Sequence, residues 1–406
     1  MAEGWSRHAL RFSDYYNSLN VNSLWTPPRL KRREWMFIPW DGRPPDRHRG
    51  FNNKSQVLNY LQQRSPHSVF HSTAYYKYPL ERKMNDKEWL GADLIFDLDG
   101  DHLPGVSDKD FPSMISLIQE QAWSLWSDFL EPEFGFKEEH VQTSFSGHRG
   151  FHIHVRDPSL FHLDSNARRE IVNHIRGEGI NVQTTLSGIN SGWKNRVEMG
   201  ISTVISKLNV ISQSKSHTIP EMESFSEILT TRSKFSDYKI KSYTKATIIK
   251  KISQLAELTS DERRIDRIKK DQSLLVFGES LTPLFWELVK GDSSVVLGNA
   301  GETDEAVTVD IKRVIRSVGS LHGKCGLRVT DFSLNRLNPY SSNKFNPLTE
   351  SIVFKGNKST KLKIIADDVT ASLDGIEVTG NVGDIVNVNE SLSMFLILKG
   401  WAEVER

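Results

Sequence analysis

Two acidic side chains stand one residue apart at the end of an apolar run, in the segment Leu94-Ile-Phe-Asp-Leu-Asp-Gly-Asp101. Because side chains alternate between the two faces of a β-strand, Asp97 and Asp99 are expected to project from the same side of one strand. Two carboxylates aimed together favour a site for divalent cations. The segment therefore predicts chemistry on phosphate esters, and by itself leaves open whether such esters are formed or hydrolysed.

A second cluster, Ser144-Phe-Ser-Gly-His-Arg-Gly-Phe-His-Ile-His-Val155, combines glycines with polar side chains. Gly147 and Gly150 would let the backbone turn tightly and approach a ligand. The donors suited to phosphate oxygens are Ser146, Arg149 and His152. This set predicts a triphosphate site. His152 and His154 would share one face of a strand, so a metal site at the histidine pair and a plain polar hairpin are alternatives.

A third cluster begins at Thr303-Asp-Glu-Ala-Val-Thr-Val-Asp310 and continues to Gly326. One acid here, Asp304 or Asp310, could complete a three-carboxylate metal site with the earlier pair, although aspartates in such positions are commonly loop or cap residues. The phosphate-binding candidates beside the glycine turn that follows are Arg316, Ser320, His322 and Lys324. The third cluster, like the first two taken together, thus combines acidic residues with candidate phosphate-binding residues.

The 406-residue chain carries 52 Lys and Arg against 51 Asp and Glu, so any nucleic-acid binding must come from a local basic cluster. The single cysteine, Cys325, excludes an intramolecular disulfide and any zinc or iron–sulfur site with several cysteine ligands. No apolar run approaches the roughly 18 residues of a membrane span, and the first residues do not read as a secretory signal. We therefore expect a cytoplasmic protein without membrane association.

Around the clusters the residue pattern predicts regular elements. These are a strand over 93–99, a helix over 113–130 that Pro132 ends, two strands with a glycine turn over 141–155, and a helix over 164–176. Charged helices follow between about 219 and 291, and short β-type runs follow 347. We expect an α/β (α+β) fold of mixed β-sheets flanked by helices. The expected divisions are a discontinuous core over 1–215 and 295–346, a helical insertion over 216–294 and a small β-rich C-terminal region over 347–406.

Taken in order, the three clusters resemble the motifs of the archaeo-eukaryotic primase superfamily, specifically the small catalytic subunit of archaeal DNA primase. That family has a paired-aspartate strand, then Ser-Gly-x-Arg-Gly-x-His, then a lone aspartate followed by an Arg/Lys…Ser-x-His segment. Further resemblance lies in Asp46-Arg-His-Arg-Gly-Phe51, Ser72-Thr-Ala-Tyr-Tyr76, Phe129-Leu-Glu-Pro-Glu-Phe-Gly135 and Phe345-Asn-Pro-Leu348. The similarity spans nearly the whole chain and implies a primase-type catalytic core.

The resemblance implies template-directed synthesis of short primers for DNA replication, by nucleotidyl transfer from nucleoside triphosphates with release of pyrophosphate. It implies that two Mg²⁺ or Mn²⁺ ions are held by Asp97, Asp99 and Asp304. Asp304 is favoured over Asp310 because of its spacing to the Arg316–His322 segment. The residues implied to hold the nucleotide's phosphates are Ser146, Arg149, His152, Arg316 and His322, with Arg47 also facing the nucleotide. The expected partners are a single-stranded DNA template and a large primase subunit that carries an iron–sulfur cluster.

One departure from the family pattern lies between the first two clusters. Many archaeal relatives carry a zinc-binding knuckle of Cys and His there, but from Val106 to Val141 this chain has no cysteine and only His140. We therefore expect no structural zinc. The apolar face of the helix predicted over 113–130 offers packing surface that could stabilise this region in the absence of zinc.

The same residues leave other functions open. Phe96-Asp-Leu-Asp-Gly100 also resembles the motif of haloacid-dehalogenase phosphatases, with Asp97 as nucleophile and Gly291-Asp292 as a later acidic motif. Against it, Asp101 stands where that family prefers Thr or Val, and the second and third clusters stay unexplained. A non-catalytic nucleic-acid module and a repair primase-polymerase are the further alternatives. Preference for ribonucleotides or deoxyribonucleotides is not readable from the sequence.

Overall fold

The computed structural model describes residues 4–100, 107, 109–176, 192–214, 219–232, 243–261, 263–266, 277–292, 305–356 and 358–405. Internal contacts divide the chain into two compact units. We call Met1–Val172 together with Gly301–Arg406 the core unit, and Asn173–Ala300 the helical unit. Among the described residues, no helix combines the length and apolar character needed to cross a membrane.

The described residues form the following strands and helices, each numbered in chain order. The strands are β1 (Trp35–Ile38), β2 (Asp46–Arg49), β3 (Ser68–Ser72), β4 (Ala74–Tyr76), β5 (Trp89–Ala92), β6 (Leu94–Asp99), β7 (Val141–Phe145), β8 (Gly150–Val155), β9 (Val314–Arg316), β10 (Thr330–Phe332), β11 (Thr360–Ile364), β12 (Val369–Leu373), β13 (Ile376–Gly380), β14 (Ile385–Val388) and β15 (Ala402–Val404). The helices are α1 (Gly4–Ser18), α2 (Lys54–Arg64), α3 (Phe111–Ser124), α4 (Ser165–Arg176), α5 (Gly192–Gln213), α6 (Pro220–Arg232), α7 (Lys245–Thr259), α8 (Gly278–Gly291), α9 (Glu305–Val309), α10 (Pro347–Glu350) and α11 (Glu390–Leu398).

The first sheet of the core unit is antiparallel, with strand order β2-β1-β3-β9. Its register pairs Phe70 on β3 with Arg316 on β9. Helices α1 and α2 pack beside it in one apolar cluster, whose members include Phe12, Tyr16, Trp35, Phe37, Val57, Leu61 and Leu321. The sheet therefore carries a residue of the third sequence cluster, Arg316, on its edge strand β9.

The second sheet is also antiparallel, with order β10-β7-β8-β6, and it confirms the strand, glycine turn and strand predicted over 141–155. Asp97 on β6 lies opposite His152 on β8, which in turn lies opposite Ser144 on β7. Ile95 on β6 joins Val307 of α9 and Ile315 of β9 in a small apolar cluster. This cluster brings the β9 edge of the first sheet against the strand that carries the paired acids.

Helix α3 begins where Asp110 accepts a hydrogen bond from the Ser113 amide at 3.1 Å, and Pro112 occupies its first turn. Its apolar face packs on β6 and β8 and is continued by a π-helical turn over Leu125–Leu130, so the helix predicted over 113–130 is confirmed. The helix predicted over 164–176 is confirmed as α4. Helix α3 therefore covers one face of the second sheet, next to the strand that carries the paired acids.

The C-terminal region is β-rich, as predicted, and adds helix α11. Strands β14-β11-β15 form one small sheet and β12-β13 another. The Phe395 ring of α11 packs 4.7 Å from the Phe111 ring of α3, and Met394 joins the cluster beside the first sheet. The contacts therefore group 347–406 with the core unit; a separate C-terminal division stays a prediction.

The helical unit is built on α5, α6, α7 and α8, and the helices predicted between 219 and 291 are confirmed. Their shared core includes Val204, Leu208, Phe225, Leu229, Ile252, Leu255, Phe285 and Leu288. Because the apolar face of α5 is part of this core, the contacts group 192–213 with the helical unit, whereas the predicted insertion begins at 216.

Candidate active site

The paired acids end strand β6, and the strand's alternation places both on one face. The Asp97 side chain is 19 % exposed and that of Asp99 is 44 % exposed. Phe96 and Leu98, the alternate residues, are buried in the interior. Two carboxylates thus lie side by side at the end of a strand, with access to solvent on the same side.

His152 is the cross-strand neighbour of Asp97. Its Nε2 lies 3.2 Å from Asp97 Oδ1, and its side chain is 3 % exposed. An imidazole packed this closely against the carboxylate restricts its rotation. The structure therefore places His152 against a paired acid; its predicted contact with a triphosphate stays a prediction.

The turn between β7 and β8 is shaped by Ser146 and two glycines. Ser146 Oγ accepts hydrogen bonds from the backbone amides of Gly150, at 3.1 Å, and His148, at 3.4 Å. Gly147 has φ +82°, and a Cβ on Gly150 would lie 2.4 Å from the Leu98 carbonyl oxygen. Since the Ser146 hydroxyl accepts both bonds, its own proton is still able to bind an anion.

Two arginines bring positive charge to the acids, Arg149 from the turn before β8 and Arg316 from β9. Arg149 Nε lies 3.7 Å from Asp99 Oδ1. Arg316, on β9, stacks over the Phe70 ring at 4.8 Å, and its Nη1 is buried without a hydrogen-bond partner among the described residues. Burial lowers the pKa of Arg316 to about 10, against the opposing effect of nearby groups that include Asp97 and Asp99. Arg316 therefore stays charged at neutral pH, with donor capacity left for an anionic ligand.

His322 is buried beside Arg316 and held by the turn that follows it. The backbone amide of Lys324 donates to His322 Nδ1 at 3.2 Å. Burial, reinforced by the charge of Arg316, lowers the pKa of His322 well below its usual value. In the neutral ring Nδ1 is the acceptor, so the proton resides on Nε2, which is thereby a donor.

The structure does not bring every predicted site residue to these acids. Arg47, on β2, pairs with the buried Glu34 through contacts of 3.3 Å. Asp310 accepts a hydrogen bond from the Lys312 amide at 2.8 Å in the turn after α9. Asp304 lies outside the described residues. Its assignment as the third carboxylate stays a prediction, as does the role of Arg47.

Metal binding depends on the donor set of the paired acids. Asp97 and Asp99 offer hard oxygen ligands on one face, which suits Mg²⁺ or Mn²⁺. The described part of the chain contains no group of three His, Cys, Asp or Glu side chains placed to hold a metal. His152 and His154, whose rings lie 6.0 Å apart, therefore gain no third ligand there, which removes support for a metal site at that pair. Asp304, which lies outside the described residues, stays the predicted third carboxylate.

Three site neighbours were not predicted. His148 stacks on His322, Cys325 donates its thiol hydrogen to the Gly147 carbonyl at 2.8 Å, and Lys399 reaches His148 from the C-terminal region. His148 occupies the variable position of the Ser-Gly-x-Arg motif. The sequence around Lys399 has no motif that points to a functional site. A contact that joins residues 251 positions apart is visible only in the folded chain.

Comparison with known proteins identifies the family of the chain. Residues 96–334 match the family described as DNA primase small subunit. The chain is 34 % identical to the DNA primase small subunit PriS of Methanosarcina barkeri, over 97 % of this chain and 95 % of the relative. It is 33 % identical to PriS of Methanosarcina mazei and 31 % identical to PriS of Methanocella arvoryzae, over 97 % of this chain and 94 % and 97 % of those proteins. The chain belongs to the DNA primase small-subunit family.

Proposed function

We propose that this chain is the catalytic subunit of a DNA primase, and that it joins nucleotides at the edge formed by Asp97 and Asp99. The reaction is attack of a strand's 3′-oxygen on the α-phosphorus of a nucleoside triphosphate, directed by a single-stranded DNA template. Pyrophosphate leaves and the hydroxyl proton passes to solvent. The observation that supports the site assignment is the convergence of two solvent-accessible carboxylates with the Ser146–Gly150 turn and Arg316.

Asp97 and Asp99 would hold Mg²⁺ or Mn²⁺, with Asp304 proposed as the third carboxylate. A pair of such ions bound by carboxylates activates an attacking oxygen and stabilises a leaving one at phosphorus. His152 fixes the Asp97 carboxylate through its 3.2 Å contact, so that Asp97 is preorganised as a ligand.

The triphosphate would be bound by donors from one strand and two turns. Ser146 offers its hydroxyl proton, His322 its Nε2 proton, and Arg149 and Arg316 their guanidinium groups. These groups neutralise negative charge on the leaving pyrophosphate. Arg47 is proposed to contact the nucleotide from β2, which would require it to share or leave its contact with Glu34.

A phosphatase with Asp97 as nucleophile is not favoured. Asp292, its candidate later acidic residue, is buried in the helical unit and pairs with Lys207 at 2.7 Å. The family match over residues 96–334 is to primase small subunits and not to a phosphatase family. A carboxylate that is held by His152 and neighboured by Asp99 is suited to bind a cation.

The curated relatives are named small subunits, which supports a heterodimer with a large primase subunit. We further propose that the large subunit carries the iron–sulfur cluster, because this chain has one cysteine. A cytoplasmic location and the absence of structural zinc stay predictions.

The test is incubation of the protein with a single-stranded oligonucleotide, labelled nucleoside triphosphates and Mg²⁺ or Mn²⁺, followed by sizing of the products. A ladder of oligomers is expected from the wild type and none from Asp97→Asn/Asp99→Asn. Release of inorganic phosphate from an aryl phosphate without any ladder would instead establish the phosphatase.

A further inference from the structure

The last helix of the core unit delivers a lysine to the predicted triphosphate pocket. Lys399 caps the C-terminus of α11, and its Nζ lies 3.0 Å from His148 Nε2 and 4.5 Å from the centre of the Trp401 ring. The C-terminus of a helix favours a cation. Leu398 packs against the turn at Gly326, where a Cβ would approach it to 3.3 Å. The position of Lys399 is thus fixed by its own helix end and by packing on the third cluster.

The contact with Lys399 sets the protonation of His148. An ammonium group only donates hydrogen bonds, so His148 Nε2 accepts and the proton of the neutral ring resides on Nδ1. Burial, with the neighbouring charge of Lys399, also lowers the pKa of His148 well below its usual value. His148 is therefore a neutral ring that is anchored at one edge.

The anchored ring lies against His322. The two imidazoles stack with ring centres 4.6 Å apart and planes within 16° of each other. His322 is held at Nδ1 by the Lys324 amide, and its face is held by His148. Cys325 ties the same two turns together by donating to the Gly147 carbonyl. The orientation of His322 Nε2 therefore depends on a ring whose own edge is bound by Lys399.

We propose that Lys399 is a positioning residue for nucleotide binding: it holds His148 against His322 and so keeps the His322 Nε2 proton directed at the triphosphate. This inference rests on the proposed function for the role of His322. Lys399 acts through His148 and is not assigned a contact with substrate. The C-terminal region thereby contributes to the nucleotide site from the far end of the chain.

The kinetic test uses Lys399→Met, which keeps most of the side-chain length and removes the donor. We expect KM for the nucleoside triphosphate to rise about tenfold, the size of one hydrogen bond to a charged group, with kcat changed by less than about twofold. Lys399→Arg, which still donates, should restore KM. Lys361→Met, at an exposed position on β11, is the matched control and should leave KM unchanged. Equal KM values in wild type and Lys399→Met would overturn the proposal.

A double-mutant cycle with His148→Phe separates positioning from general loosening of the fold. If Lys399 acts through His148, adding Lys399→Met to His148→Phe should raise KM no further. Additive increases would contradict the proposed route.

A spectroscopic readout does not depend on primer synthesis. In ¹⁵N-histidine spectra of the full chain, His148 should show Nδ1–H and His322 Nε2–H. Lys399→Met should shift the His148 signals and, through the stack, those of His322, while Lys361→Met should not. Unchanged histidine signals in Lys399→Met would reject the positioning role even if the wild type makes primers. A wild type that makes no primers, yet shows the expected shifts, would instead reject the proposed function.

Discussion

The Nε2 atom of His152 lies 3.2 Å from Oδ1 of Asp97, and the two residues are direct register partners in the β6–β8 pair. The contact is buried on the histidine side and open to solvent on the aspartate side. The contact joins the first sequence cluster, on β6, to the second, on β8. Both strands therefore contribute side chains to the candidate active site.

Replacing His152 by Phe should weaken catalysis without abolishing it. The change removes the group that orients Asp97, and loss of such a partner typically costs about 10–100-fold in metal affinity or activity. We expect primer synthesis to need more Mg²⁺ or Mn²⁺ for half-maximal rate, measured by metal titration. His140→Phe, on the 3-10 turn before β7, is the control. An unchanged metal requirement in His152→Phe would contradict the orienting role.

Gly150→Ala should disrupt the β6–β8 edge. A Cβ there would lie 2.4 Å from the Leu98 carbonyl oxygen, so the backbone pair must separate. Crowding of this kind costs about 1–3 kcal/mol in the free energy of unfolding. Gly380→Ala, where the nearest atom is the side-chain Cγ1 of Ile364 at 3.3 Å, is the control and should cost less. Urea unfolding that finds both variants equally stable would count against this tight contact.

Asp93→Asn should destabilise the core unit strongly. Asp93, just before β6, is fully buried and pairs with Arg33 at 2.8 Å and Arg156 at 3.1 Å, while Tyr75 donates to its other oxygen. Removing the charge leaves two guanidinium groups without their counterion, at a cost of about 3–5 kcal/mol. The free energy of unfolding measures the loss. Asp41→Asn, in an exposed pair with Arg43, should leave stability unchanged; similar losses in both variants would refute the importance of burial.

Stability should fall as the pH drops below about 6.5. Burial lowers the pKa of His67 to about 4 and holds those of His71, His154 and His322 well below the usual value. In this range the unfolded chain binds more protons than the folded chain, so the free energy of unfolding rises with pH and is lost as pH falls. Urea titrations between pH 7.5 and 5 should show this slope, and His67→Asn should reduce it by about one proton. A flat profile would show that these rings are not held neutral.

Local patterns predicted much of this architecture. The alternation in 93–99 and the glycine turn in 141–155 predicted β6, β7 and β8, because both depend on neighbouring residues alone. The three motifs identified the family in the same way. The Asp97–His152 contact depends on strand register, which residue types do not specify when the strands are far apart in sequence.

Other features arise from tertiary packing and had no local signal. Arg316 reaches the acids because β9 pairs with β3 and because Ile315 packs against Ile95. Lys399 reaches His148 only because α11 packs on the turn at Gly326. The sequence predicts a core that extends to residue 215, whereas the apolar face of helix α5 packs with the other helices of the helical unit.

The role of Asp97 and Asp99 as metal ligands for nucleotidyl transfer is tested most directly by following the α-phosphorus. Nucleoside triphosphate labelled at that atom is mixed with excess protein, a single-stranded template and Mn²⁺, and the products are separated over a single turnover. We predict that the wild type places the label in an oligonucleotide and releases one pyrophosphate per nucleotide joined, while Asp97→Asn/Asp99→Asn remains folded and transfers none. Label transferred by the double variant, or appearance of the label as inorganic phosphate with the wild type, would contradict the account.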